Sequence, residues 1–195
     1  MALSLAKNQT ISLEKTGGSG LTKITLGLGW DPEKSGLLGK LFGGGGAIDL
    51  DASCILFDES MKPVDLVWFR QLKSKDGSIV HSGDNRTGEG DGDDESITVD
   101  LYKLPVGVKH LVFTVNSFTG QNFEKVEKAY CRIVDASKNS EIARFNLSEK
   151  GRHTGVVMAS LSRGANGWDF KTIGTPTTGR TADDLVSLAI QAVKA

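Results

Sequence analysis

The strongest constraint on this chain is a rhythm of short segments in which every second residue is apolar. In Thr22–Trp30 (TKITLGLGW), Ile24, Leu26, Leu28 and Trp30 alternate with small or polar residues. Successive strand side chains point to opposite faces, so this pattern buries one face and leaves the other to solvent. Leu50, Ala52, Cys54 and Leu56 repeat it, as do Ile97, Val99 and Leu101. Val64–Leu72, Leu111–Phe118, Lys128–Val134, Glu141–Leu147, Thr154–Ser162 and Trp168–Ile173 read as further strands. Turn residues separate them at Asp58–Pro63, Lys75–Gly77, Pro105–Gly107, Asp135–Ser140 and Ala165–Gly167. No strand–helix–strand alternation is visible, which excludes a doubly wound sheet. The expected fold is all-β: an antiparallel β-sandwich of two facing sheets, with long acidic and Gly-rich loops and a C-terminal helix.

That helix is expected over Thr181–Ala195. Thr181 suits the N-cap, Asp183 and Asp184 the first turn, and Leu185, Leu188, Ala189 and Ala192 share one face. The sandwich is expected over residues 1–174, with a linker and the helix over 175–195. Pro32–Ala47 is a long Gly-rich connection whose Leu37, Leu38, Leu41 and Phe42 form a short amphipathic turn or an exposed apolar tip.

At 195 residues the chain is long enough to bury a core without staples. A net charge of −1 gives no electrostatic case for nucleic acid. The two cysteines, Cys54 and Cys131, are far apart, which argues against a disulfide scaffold or zinc, and their strand contexts suit core residues. The histidines His81, His110 and His153 have no metal-ligand spacing. The N-terminus lacks the apolar core of a signal peptide, and no apolar run approaches the ~20 residues that span a bilayer. The expectation is a cytoplasmic protein with reduced thiols.

The acidity is local. Six carboxylates fall within the twelve residues Asp84–Glu95 (DNRTGEGDGDDE), with Arg86 the single base. Gly88, Gly90 and Gly92 let the backbone curl and turn its carbonyls inward. Such a loop repels itself unless a cation neutralises it. Calcium takes carboxylate, amide and backbone oxygens, and this stretch offers all three, with Asn85 supplying the amide. The alternative is a solvated acidic turn. The spacing is not that of an EF-hand, because Arg86, Gly88 and Glu89 stand where ligands and the turn glycine belong. Asp49 and Asp51, two apart at a strand entry, point to one face, and Asp31 ends an earlier strand and could approach the same rim.

Other chemistry is weakly signalled. Gly43–Gly46 lacks the Gly-Lys-Ser/Thr of a P-loop, and no GxSxG elbow is present. A metal-dependent hydrolase would need a base or anchoring cation, for which only Arg86 and Lys75 stand near.

The phrases GLGWD (Gly27–Asp31), IDLDAS (Ile48–Ser53), HSGDNRTGEGDGDDE (His81–Glu95), FTVNSFTGQNFEKVEKAYCRIVD (Phe113–Asp135) and EIARFNLS (Glu141–Ser148) resemble the TerD family of tellurium-resistance and stress-response proteins. The resemblance runs to about Ile173 and looks closest to the TerZ-like branch. It implies a non-enzymatic β-sandwich holding two calcium ions in adjacent sites. By matched motif the ligands would be Asp31, Asp49, Asp51, Asp84, Asn85, Asp93, Asp94 and Glu95, with Gly88 and Gly90 offering backbone carbonyls. Glu89 and Asp91 fall between the glycines and rank lower. The resemblance further implies TerB- and TerC-like partners, at the inner membrane surface. Three other readings stand beside it: a calcium-independent interaction module, a metal-dependent hydrolase, and a thiol reductant working through Cys54 or Cys131.

Overall fold

A computed structural model describes residues 2–18, 20–32, 49–84, 92–117, 120, 122–147, 151–179 and 181–194, apart from the side chains of 31, 32, 125, 127 and 128. The strands are β1 (Leu3–Ser4), β2 (Thr10–Ser12), β3 (Lys23–Pro32), β4 (Leu50–Phe57), β5 (Pro63–Val67), β6 (Ile79–His81), β7 (Glu95–Asp100), β8 (His110–Ser117), β9 (Val126–Asp135), β10 (Ser140–Asn146), β11 (Gly155–Gly164) and β12 (Gly167–Thr177). A short helix α1 (Leu13–Gly17) follows β2, and helix α2 (Ala182–Lys194) closes the chain.

Two six-stranded sheets face each other, one ordered β1-β10-β9-β3-β7-β6 and the other β2-β12-β11-β8-β4-β5. The expected sandwich is therefore present. Among the described strands the one departure from antiparallel order is β1, which runs parallel to β10. The alternation sets the packing: Ile24, Leu26 and Leu28 from β3 and Ile97 and Val99 from β7 meet Leu50, Ala52, Cys54 and Leu56 from β4 in one core.

The opposite face of β4 is also apolar at its far end. Ile55 and Phe57 join Val112, Val157 and Ile173 in a second cluster, covered by Ala189 and its neighbours on α2. This is why every residue of β4 is buried. The helix begins where its cap residues predict. Thr181 N–H donates to Asp184 Oδ2 (3.1 Å), and Asp184 N–H donates to Thr181 Oγ1 (3.4 Å).

Several boundaries differ from the sequence expectation. The Val64–Leu72 strand stops at Val67, because Trp68 and Gln71 exchange both backbone hydrogen bonds in a tight turn (3.1 and 2.9 Å). Strand β12 continues to Thr177, into the linker expected from residue 175 onward. Gly174, at φ 65°, serves a bulge where the pairing with β11 shifts between Val157 and Ala159. Strands β1, β2 and β6 and helix α1 are too short to show a period and were not foreseen. The Gly-rich segment 34–46 and its Leu37–Phe42 tip lie outside the described residues. Among the described residues no helix is long and apolar enough to cross a membrane.

Candidate metal centre

Strand β4 enters the sandwich through Asp49, Leu50, Asp51 and Ala52. Leu50 and Ala52 go to the core, which sends the Asp51 carboxylate to the other face, as the two-residue period requires. Asp84 arrives from the end of β6. One carboxylate oxygen from each of Asp49, Asp51 and Asp84 lies within 4.8 Å of the others. Two calcium–oxygen bonds of about 2.4 Å, end to end, span about 4.8 Å, so the three oxygens lie within reach of one ion.

Asp51 carries the strongest signal. It is only 4% exposed, and its Oδ2 is buried with no hydrogen-bond partner among the described residues. An orphan carboxylate oxygen is costly to bury. Burial pushes the Asp51 carboxyl up to about 7, with further contributions from Glu95, Asp49 and Asp84, against a smaller opposing effect of His81. Without a cation, a substantial share of Asp51 keeps its proton close to neutral pH. Such a group is a poor surface solvator and a good ligand once its proton is displaced.

Glu95 and His81 build the wall behind it. Strand β5 pairs with β4 only from Cys54 onward, so among the described residues β4 has no strand neighbour on that side at Ala52. Side chains from the opposite sheet fill the place. Ala52 N–H donates to Glu95 Oε2 (2.7 Å), and Ala52 O lies 3.1 Å from His81 Nε2. Gly83 N–H donates to His81 Nδ1 (3.0 Å), which leaves Nε2 to carry the ring proton and donate it to Ala52 O. Both Glu95 and His81 are buried. Sequence reading assigned His81 no role. The signal available was its position at the head of HSGD, three residues before Asp84.

The expected ligands thus divide. Asp49, Asp51 and Asp84 come together, with Glu95 close enough to raise the Asp51 carboxyl. Asp94 turns to the first sheet: its Oδ2 accepts Trp30 N–H (2.8 Å), and its own N–H donates to Leu28 O (2.8 Å). Asp93 lies across that sheet in a two-point ion pair with Arg132 (Nε–Oδ1 2.7 Å, Nη2–Oδ2 3.0 Å). The Asp93 carboxylate, expected among the ligands, is held here by the Arg132 guanidinium. The backbone of Asp31 pairs with Glu127 after a bulge, one residue before β3 ends, and its side chain is not described. Asn85, Gly88 and Gly90 lie outside the described residues, as do Arg86, Glu89 and Asp91.

Lys75 is engaged by Asp65, which accepts the Lys75 backbone N–H (2.8 Å) and lies 3.7 Å from its Nζ. Cys54 and Cys131 are fully buried, and burial pushes both thiols up, Cys131 to about 12. A thiol so placed supplies almost no thiolate near neutral pH.

The chain matches the TerD domain family over residues 1–189. It is 55% identical over 192 residues to the tellurium resistance protein TerZ of Serratia marcescens, covering 98% of each chain. It is 40% identical to the stress response protein SCP2 of Bacillus subtilis, over 96% of this chain and 98% of that one. Its fold is shared by a crystallised homologue of the telluride resistance protein TerD from Streptomyces coelicolor, with a TM-score of 0.68 at 21% identity, over 86% of this chain and 96% of that one.

Proposed function

Because the chain belongs to the TerD family, we propose that it acts in resistance to tellurium compounds and related stress as a calcium-binding module without catalysis of its own. The observation that carries this reading is the buried, unpartnered Oδ2 of Asp51 beside Asp49 and Asp84. A hard divalent cation satisfies that oxygen, displaces the proton and neutralises the mutual repulsion of the carboxylates. The described carboxylates account for one ion. The resemblance implies a second, without dividing the expected ligands between the two ions.

In this reading the sandwich is a rigid frame and the acidic rim is what calcium orders. The frame has its own apolar core, so it needs no metal to fold. Bound calcium supplies local positive charge, and Asp49, Asp51 and Asp84 then converge instead of repelling. The ordered rim becomes a surface for other resistance proteins, of TerB-like and TerC-like kind, at the inner membrane surface.

Calorimetric titration of calcium into chelator-stripped protein, with magnesium as competitor, tests the ion. Saturable binding that magnesium fails to displace supports the site. Binding that survives unchanged in Asp51→Asn sinks it. Co-purification of TerB- and TerC-like proteins with and without chelator tests the partners, and capture indifferent to chelator would favour the calcium-independent interaction module.

A further inference from the structure

The outer face of the first sheet carries a polar ring that the cation site does not use directly. Gly27 of β3 is paired with Arg132 of β9, and Gly29 with Tyr130. Two glycines on one face of a strand weaken it and leave a smooth strip on which other groups can lie. That strip is filled. A Cβ at Gly27 would collide with Asp93 Oδ2, and one at Gly29 would fall 2.5 Å from the Tyr130 ring. Across this strip Arg132 holds both oxygens of Asp93, while Tyr130 Oη donates to Gly92 O (2.7 Å) and lies 3.1 Å from Asp93 Oδ1. The ring closes behind them. Arg132 Nη1 donates to Glu141 Oε2 (3.1 Å), Arg144 grips both oxygens of Glu141 (3.0 Å each), and the Arg144 guanidinium sits 4.2 Å from the centre of the Tyr130 ring.

We propose that this ring is a clamp on the C-terminal end of the acidic loop, and that Arg132 is its positioning residue for cation binding. The inference rests on the calcium-site reading above and deepens it. Gly92 and Asp93 are the last loop residues before Asp94 fastens to Trp30 and Glu95 enters the wall behind Asp51. Fixing them sets where the chain leaves the site. The pairs in the ring are partly exposed, at 28% for the Arg132 side chain and 15% for Asp93, so they add little to the sandwich itself. Their place at the loop exit gives them a different use. Groups that orient metal ligands from outside the ligand set commonly govern affinity by tenfold or more.

The charge of Arg132 supplies the decisive contrast. Electrostatics alone predicts that removing a positive charge near a cation site tightens binding. The clamp predicts the reverse. Calcium affinity is measured by calorimetry for the full chain and for Arg132→Met, Gly27→Ala, Tyr130→Phe, and Asp93→Asn with and without Arg132→Met. Arg132→Met is expected to weaken binding about tenfold, while the melting midpoint in chelator stays close to that of the parent. Gly27→Ala displaces Asp93 sterically with every charge retained, and is expected to match that loss. Tyr130→Phe loses the hydroxyl bonds to Gly92 and Asp93 and is expected to cost about two- to tenfold. Asp93→Asn in the Arg132→Met background adds little more, because the two act as a unit. Equal or tighter binding in Arg132→Met, with weaker binding in Asp93→Asn, would make Asp93 a ligand and overturn the clamp. Should Arg132→Met fail to fold, undiminished affinity in Gly27→Ala overturns it instead. No calcium binding by the parent chain is a separate outcome, which removes the reading beneath.

Discussion

Asp51 shows how one residue can set the pH behaviour of a whole site. Its carboxyl is raised by burial, and then by Glu95, Asp49 and Asp84, from an ordinary 3.8 to about 7. Between those values the folded chain holds a proton that the unfolded chain has released. The stability of the cation-free protein therefore falls as pH rises from about 4 to about 7, and the loss is complete above that. Asp51→Asn removes the titration. In chelator at pH 8 it is expected to stabilise the fold by on the order of 2–4 kcal/mol, read as a higher midpoint in urea. The same substitution should abolish calcium binding at the trio. An unchanged midpoint at pH 8 would show that Asp51 carries no desolvation penalty. Cation binding has the opposite pH slope, because the ion displaces the proton: affinity should climb to about pH 7 and then level off. Little of this was legible beforehand. The sequence shows Asp51 as one of two acids at a strand entry, and only its neighbours from the other sheet reveal that one oxygen is orphaned. His81 was invisible for the same reason, since its partner Ala52 is 29 residues away.

Long strands such as β3 and β7 could be read because each carries its own two-residue period with one buried face, and β8 because its run LVFTV is almost continuously apolar. The helix α2 could be read from its cap and its face. What failed to read at the level of elements were places where a local signal has two meanings. Gly174 reads as a strand end and serves as a bulge inside β12. Residues 68–72 keep the apolar look of the strand before them, yet Asp65 folds the chain back by accepting from Gln71 Nε2 (3.0 Å) and Lys75 N (2.8 Å). The helix also has a mechanical consequence. Its Ala182, Leu185 and Ala189 are fully buried, and Ile55, Phe57, Val112 and Ile173 lie in or beside that contact. Leu185→Ala is expected to cost about 2–4 kcal/mol, measured by urea unfolding. A chain ending before Thr181 would expose the second cluster and should aggregate. A cost below about 1 kcal/mol for Leu185→Ala would mean that the helix merely rests on the sheet.

At the scale of the molecule the two sheets meet differently at their centre and at the site. The centre is apolar and continuous, while next to Asp51 the sheets are joined by Glu95 and His81 reaching to the backbone of Ala52. The frame should consequently survive metal removal. Hydrogen exchange in chelator is expected to leave protection along β3, β8 and β9 intact and to change mainly around residues 49–52 and 81–84. Global loss of protection would instead make calcium part of the fold. The Asp93–Arg132 pair spans 39 residues and crosses β3, so no local pattern announces it, although two glycines on the outer face of TKITLGLGW hint that something lies there. The central claim, that a calcium ion is held through a buried and protonatable Asp51, is tested most directly by calorimetric titration at pH 6.5 in two buffers of different ionisation heat. The account predicts saturable calcium binding with proton release, and loss of both in Asp51→Asn. Binding that releases no proton and persists in Asp51→Asn, or no binding at all, would contradict it.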